Sequence, residues 1–237
     1  MIVSHHNEFI FIKTRKTAGT SIEIALSNFC KPEDIITSLS KSEEKMKENL
    51  GLPGSQNTLV PLMQYRRWDV WNLLTGGGRA HHFNHTSAEL ARKRVGEKAF
   101  ERYHKFCVVR NPWDRAVSQF FFEKYGEGMP GLPEDLAFSD YLTTLPDAKL
   151  SDSWLYTIGG SLAVDRVLRY ENLAEDWSDL LISFGFDYMD LPRAKSKTRR
   201  TKKHYSHFYD ESSLNRVNAV CKWEISNFGY TFDDQRG

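Results

Sequence analysis

The chain has 237 residues, with 32 Lys and Arg against 31 Asp and Glu, a net charge of +1. That balance argues neither for nor against a polyanionic partner, and residues 1–237 suit a single α/β domain with a substantial core. Cys30, Cys107 and Cys221, far apart and in apolar surroundings, read as buried thiols and exclude a disulfide framework or a cysteine-based metal centre. No stretch approaches the ~20 apolar residues of a membrane span, and the N-terminus lacks a signal-peptide layout, so a cytoplasmic setting is expected.

Phe9 to Ile12 is a short apolar, β-favouring run that predicts a buried strand. Ile22, Leu26 and Phe29 then recur at i, i+4 and i+7, with Ala25 beside them, which predicts a helix. Between the two lies Lys13-Thr-Arg-Lys-Thr-Ala-Gly-Thr-Ser21: small, hydroxylated and basic. A strand, a tight small-residue loop and a helix N-terminus make an anion site, because backbone N–H groups and the positive helix end converge there. Lys16 adds a mobile full charge, and Gly19 permits close approach of backbone to a ligand. An ordinary strand-to-helix turn would need neither two lysines nor Thr17, Thr20 and Ser21. The order departs from the nucleoside-triphosphate P-loop, where lysine directly precedes the magnesium-binding hydroxyl.

Residues 31–80 are irregular. Lys41 to Asn49 predicts a charged, exposed helix, Leu50 to Asn57 a Gly/Pro loop, and Arg66 to Leu74 a short helix stopped by Gly76-Gly-Gly78. Such a segment between two well-formed motifs is a candidate acceptor-binding wall, and equally a plain surface excursion. His81-His-Phe-Asn-His85 follows. Thr86 with Glu89 is a capping-box signature, predicting a helix from there to about Val95. His85 would then sit just outside a helix N-terminus, whose positive end disfavours imidazolium and keeps a base neutral at pH 7. His81, His82 and His85 read equally as three surface histidines, and no carboxylate or thiol at ligand spacing completes a zinc site.

A second buried strand, Phe106-Cys-Val-Val109, runs into Arg110-Asn-Pro-Trp-Asp-Arg-Ala-Val-Ser118. Asn111 suits a helix N-cap, Pro112 the first helical position and Asp114 the first turn. Arg110 then projects from the carboxyl end of a strand, where open α/β sheets bind ligands. Ser118 follows Asn111 by about two turns, on the same face. Together they can hold a dianionic phosphate, although a lone Arg–Ser pair is more often a structural hydrogen bond.

Further on, Phe138 to Leu145 predicts a short helix and Ala163 to Tyr170 a strand. Leu173, Trp177, Leu181 and Phe184 predict a helix ended by Gly185, with Glu171 at its capped junction. Arg193 to Lys203 holds seven Lys or Arg in eleven positions; such a run is a solvated loop or, more sharply, a nucleic-acid arm. A last helix carries Leu214, Val217, Cys221 and Ile225.

Two of these strings resemble one family. Lys16-Thr-Ala-Gly-Thr-Ser21 after a strand looks like the 5′-phosphosulfate loop of sulfotransferases that use 3′-phosphoadenosine 5′-phosphosulfate (PAPS), with Arg15 where that loop usually has Pro. Arg110 to Ser118 closely resembles their 3′-phosphate motif, and Arg169-Tyr-Glu-Asn-Leu173 also looks like the family. The resemblance runs in pieces from Phe9 to Tyr230. It implies a three-layer, P-loop-like α/β fold with a mainly parallel central sheet and helices on both faces.

It further implies metal-independent sulfuryl transfer from PAPS to an acceptor hydroxyl of a carbohydrate or small alcohol, with 3′-phosphoadenosine 5′-phosphate (PAP) as product. Arg15, Lys16, Thr17, Ala18, Gly19, Thr20 and Ser21 would contact the 5′ end of the donor, and Arg110 and Ser118 its 3′-phosphate. Residues 193–209 resemble the basic loop that covers the nucleotide in carbohydrate-type members, with Lys197 and Arg200 as contacts. The family places a histidine before a Ser-containing helix start, matching His85-Thr-Ser87, so His85 is the implied base and Glu23 the next candidate. No nucleic-acid partner is expected. The alternatives are a P-loop nucleotide kinase and a non-enzymatic nucleic-acid-binding protein using residues 193–203.

Overall fold

A computed structural model describes residues 1–192 and 201–236. In chain order its elements begin β1 (Ile2–Ser4), β2 (Phe9–Ile12), α1 (Gly19–Ser27), β3 (Ile35–Ile36), α2 (Lys41–Asn49) and α3 (Arg67–Leu74). Next come α4 (Ala88–Val95), α5 (Glu97–Arg102), β4 (His104–Val109), α6 (Pro112–Tyr125), α7 (Phe138–Thr144), α8 (Asp147–Leu150) and α9 (Ser153–Tyr156). The hairpin β5 (Thr157–Ile158) and β6 (Ser161–Leu162), β7 (Arg166–Arg169), α10 (Leu173–Phe184), α11 (Glu211–Val220) and α12 (Lys222–Phe228) complete it. They fall into two compact units, Met1–Val109 with residues 155–192, and Arg110–Trp154 with residues 201–236. No helix among the described residues is long and apolar enough to cross a membrane.

The first unit is built on a five-stranded sheet ordered β3-β1-β2-β4-β7. β2, β4 and β7 run parallel, with Ile12 opposite Cys107 and Val109 opposite Arg169. β1 and β3 are antiparallel to their neighbours. The sheet is therefore mixed: β1 runs against the other four strands. The reason is local: Ile2–Ser4 folds back on β2 through a turn whose His5 and His6 amides donate to the Asp34 carboxylate at 2.6 and 3.1 Å. Three residues are too few to show a strand period.

Phe9, Phe11 and Phe106 line one face of this sheet with Ile22, Ala25 and Leu26 of α1 and Trp177, Leu180 and Leu181 of α10. Of the helical positions that the spacing marks, Ile22, Ala25, Leu26, Trp177 and Leu181 are in this core and Phe29, Leu173 and Phe184 pack against it; Leu180 joins them unmarked. Each large side chain so buried stabilises the unit by roughly 1.5–3 kcal/mol. α2 follows its predicted span, but Glu43 and Lys47 are buried, so the helix is less exposed than its charge suggests.

The second unit packs α6 against α7 and α11 through Trp113, Val117, Phe120, Phe138, Tyr141 and Val217. α6 starts as its sequence dictates: the Asn111 side chain accepts from the Trp113 and Asp114 amides at 3.0 and 3.1 Å, and Pro112 follows at the first helical position. The last predicted helix is broken at Cys221, where the backbone leaves helical geometry (φ −94°, ψ 17°) and the buried thiol donates to the Leu150 carbonyl at 3.2 Å.

Candidate active site

β2 delivers the chain into residues 13–18, and two of these, Lys16 (φ 61°) and Ala18 (φ 60°), are left-handed. Neither is glycine, so each costs about 1–2 kcal/mol and persists only because its surroundings hold it. Left-handed residues alternating with ordinary ones turn successive backbone N–H groups toward one point, a concavity suited to an anion. α1 opens directly on it. Its first helical bond runs from the Ile22 amide to the Ala18 carbonyl at 3.2 Å, so the N-terminal turn of the helix, with its positive dipole end, faces the loop. The N-cap residue Ala18 makes no side-chain cap bond and no acid occupies the first turn, an arrangement that favours an anion there.

The loop is braced from below. The Thr14 hydroxyl donates to the Val108 carbonyl of β4 and lies 2.8 Å from the Thr17 hydroxyl. With Thr14's only proton spent on the carbonyl, Thr17 must be the donor of that pair. What Thr17 offers a ligand is thus its backbone amide. Lys13, buried, reaches the Glu23 carboxylate at 2.7 Å. Thr37 donates to the other oxygen of Glu23 at 2.9 Å, and the Asn84 amide oxygen lies 3.4 Å from Lys13 Nζ. Burial would raise the Glu23 carboxyl, but Lys13 and these bonds outweigh it and hold the group below its ordinary range. Glu23 is fully buried and ion-paired, which makes it a brace for the loop and unsuited to meet an acceptor as a base.

Gly19 has a steric reason besides the close ligand approach that the sequence suggests. A Cβ there would stand 2.9 Å from Lys13 Cγ and 3.3 Å from the Thr14 carbonyl oxygen. Lys13 cannot yield easily, since its far end is tied to Glu23. Gly19→Ala should therefore cost about 1–3 kcal/mol, the range for forcing atoms into a packed site, read as a lower urea midpoint. An unchanged midpoint would show that the loop has room to spare.

His85 is also left-handed (φ 57°), and its Nδ1 lies 3.0 Å from the Lys13 carbonyl oxygen. A carbonyl only accepts, so Nδ1 carries the proton and the lone pair resides on Nε2. This fixes the tautomer a general base needs. The helix cap is not where the sequence places it: Ser87 accepts from the Leu90 amide at 3.3 Å and α4 starts at Ala88. Thr86 instead donates to the Phe83 carbonyl at 2.6 Å, closing the turn that contains His85, while Glu89 pairs with Lys93 at 2.6 Å. His85 owes its tautomer to Lys13, not to a helix end directly behind it.

The other two histidines go elsewhere. His82 is buried on a cavity of about 570 Å³ shared with His5, Thr58 and Arg94, and burial with Arg94 nearby lowers it to about 4. His81 is exposed, its Nδ1 3.3 Å from the Thr58 hydroxyl.

In the second unit, Arg110 lies one residue before the Asn111 N-cap of α6 and is largely buried. Asp114 holds it by two bonds from Nε and Nη2, at 2.9 and 2.6 Å. The two bonds set the plane of the guanidinium. Ser118 sits on the second turn of the same helix, partly exposed.

A model of the sulfotransferase family matches residues 1–231. The chain belongs to that family. An uncharacterized protein of Archaeoglobus fulgidus is 26% identical over 110 residues, spanning 41% of this chain and 81% of the relative. Among solved structures, mouse sulfotransferase SULT7A1 complexed with PAP is 14% identical, with a TM-score of 0.49, covering 94% of this chain and 86% of its own.

In this sulfotransferase the first unit gathers Lys16, Ala18, Gly19 and the bonded pair of Lys13 and His85 around one loop. Lys197 and Arg200, expected over the nucleotide, lie outside the described residues. Sequence reasoning missed the cluster in which Lys13 and Thr37 bond Glu23 and Asn84 bonds Lys13 and Thr37. These four residues are far apart in sequence, with no shared period, and only the fold unites them.

Proposed function

We propose that the chain moves a sulfuryl group from PAPS to an acceptor hydroxyl on a carbohydrate or small alcohol. The observation that carries this reading is the pair of left-handed residues, Lys16 and Ala18, opening onto an uncapped α1. That backbone is costly, and an anion held by its amides explains why it is kept. Arg15, Lys16 and the amides of residues 17–21 take the 5′-phosphosulfate end. Lys16 and the amides stabilise the charge that grows on the bridging oxygen as its bond to sulfur breaks, the kind of preorganised contribution that usually dominates catalysis. His85 Nε2 takes the acceptor's proton as the new oxygen–sulfur bond forms. Arg110 and Ser118 take the 3′-phosphate, and Lys197 and Arg200 cover the nucleotide.

Donor choice tests the 3′-phosphate assignment. PAP should bind roughly 100-fold more tightly than AMP, the gain from about two charge-assisted bonds, and calorimetry reads it directly. Arg110→Ala should remove most of that preference. Equal affinity of the wild-type protein for PAP and AMP would refute the assignment.

Metal dependence separates this reading from a kinase. Phosphotransfer normally needs Mg²⁺ to bridge phosphate oxygens, whereas here Lys16 and the amides supply the compensation. Sulfuryl transfer should persist in EDTA. Activity lost to chelator and restored by Mg²⁺ would favour phosphotransfer.

A further inference from the structure

Residues 59–83 carry large apolar side chains that the protein leaves in solvent. Met63 is 100% exposed, Leu74 79%, Trp68 66%, Leu62 61% and Trp71 55%, and no residue of α3 is buried. A surface helix ordinarily turns its apolar stripe inward and its charges outward. α3 does the reverse. Its less exposed residues include Asp69 and Asn72. Asp69 accepts from the Arg66 amide at 2.9 Å and pairs with Arg94 of α4 at 3.3 Å, and that ion pair is itself nearly buried. At 100° per residue, Val70, Leu74, Arg67 and Trp71 share the opposite, outer face, with Trp68 on its flank. The rings of Trp68 and Trp71 stack there with centroids 5.0 Å apart. The helix is anchored by its one carboxylate while its apolar side stays uncovered.

Charge decides what covers it. Asp69 is the sole acid between Glu48 and Glu89, and Arg94 already neutralises it. Arg66, Arg67 and Arg79 are all exposed on the same stretch. An exposed surface of Trp, Leu and Met, ringed by arginines and free of unpaired carboxylates, matches an anionic lipid interface. There indole rings settle at headgroup depth and guanidinium groups meet phosphate. A second copy on a two-fold axis would instead set these cations against their own images. We propose that α3 and its flanks form a peripheral docking site for an anionic membrane surface, lying in the interface and not crossing it.

The test is sedimentation of the full chain with phosphatidylcholine vesicles, with and without phosphatidylserine, at physiological ionic strength. The protein should pellet with the anionic vesicles, show a blue shift in tryptophan emission, and stay in solution with neutral ones. Arg66→Gln with Arg67→Gln and Arg79→Gln should weaken partition by roughly five-fold per arginine. Trp68→Ser with Trp71→Ser and Leu74→Ser should weaken it by at least about tenfold. Because these side chains are exposed, both variants should melt like the wild type and bind PAP unchanged. Absence of binding to either vesicle, or equal binding by both variants, would overturn the proposal. So would a concentration-dependent dimer abolished by the Trp/Leu variant, which would make the cover a second copy. Quenching of Trp68 and Trp71 by a soluble oligosaccharide, without lipid binding, would make the patch an acceptor platform and equally sink it.

Discussion

His85→Ala should lower turnover by roughly 10²- to 10⁴-fold, the range for a lost general base, with PAP affinity nearly unchanged. The argument rests on the bond from Nδ1 to the Lys13 carbonyl, which leaves the lone pair on Nε2. Alanine also loses something at the backbone, because φ at residue 85 is 57°. His85→Asn controls for this, since asparagine tolerates the left-handed region but cannot act as the base. Both variants should be equally slow. His81→Ala should be much milder, as that residue is exposed and its ring lies against the Thr58 hydroxyl, away from the loop. Turnover of the asparagine variant within a few-fold of wild type would remove His85 as the base.

Glu23→Gln should destabilise the fold by about 3 kcal/mol or more, because it leaves Lys13 charged, buried and uncompensated. Urea denaturation measures this, and a loss well under 1 kcal/mol would show that the pair is dispensable. The effect has a defined pH dependence. Burial pushes the Glu23 carboxyl up, yet Lys13 and the surrounding bonds prevail and hold it below its ordinary 4.5. A depressed carboxyl contributes stability above its unfolded value and loses it as pH falls through the lower folded value. The gap between wild type and Glu23→Gln should therefore be full near neutrality and shrink on acidification below about 4.5.

What the sequence disclosed was local chemistry. β2 and α2 are found with their predicted bounds, and Asn111 caps α6 as its side chain requires. A four-residue apolar run and a cap followed by proline need only their neighbours to be recognised. What it concealed was chemistry assembled across distance. β1 is too short to announce itself, and its antiparallel pairing makes the sheet mixed. Thr86 and Ser87 are both competent caps, and the choice between them falls to the Phe83 carbonyl. The strain at Lys16 and Ala18 is also hidden, since neither residue type favours a positive φ. Gly19 does not adopt a positive φ, and a Cβ there would crowd Lys13 and Thr14.

The interrupted course of the first unit has a consequence for how the protein is made. β7 completes the sheet by pairing Arg166–Arg169 beside β4, but the stretch from Arg110 to Trp154, which belongs to the other unit, is synthesised between them. During translation β4 can join β2 as soon as it emerges, while its other flank stays bare until β7 follows. Phe106-Cys-Val-Val109 is a short, uncharged, β-favouring segment, and such an edge is prone to pair with foreign strands. Pairing across so long a separation is also slow. The nascent chain is thus most vulnerable between β4 and β7, and a chaperone that shields the β4 edge at that stage would raise the yield of folded protein.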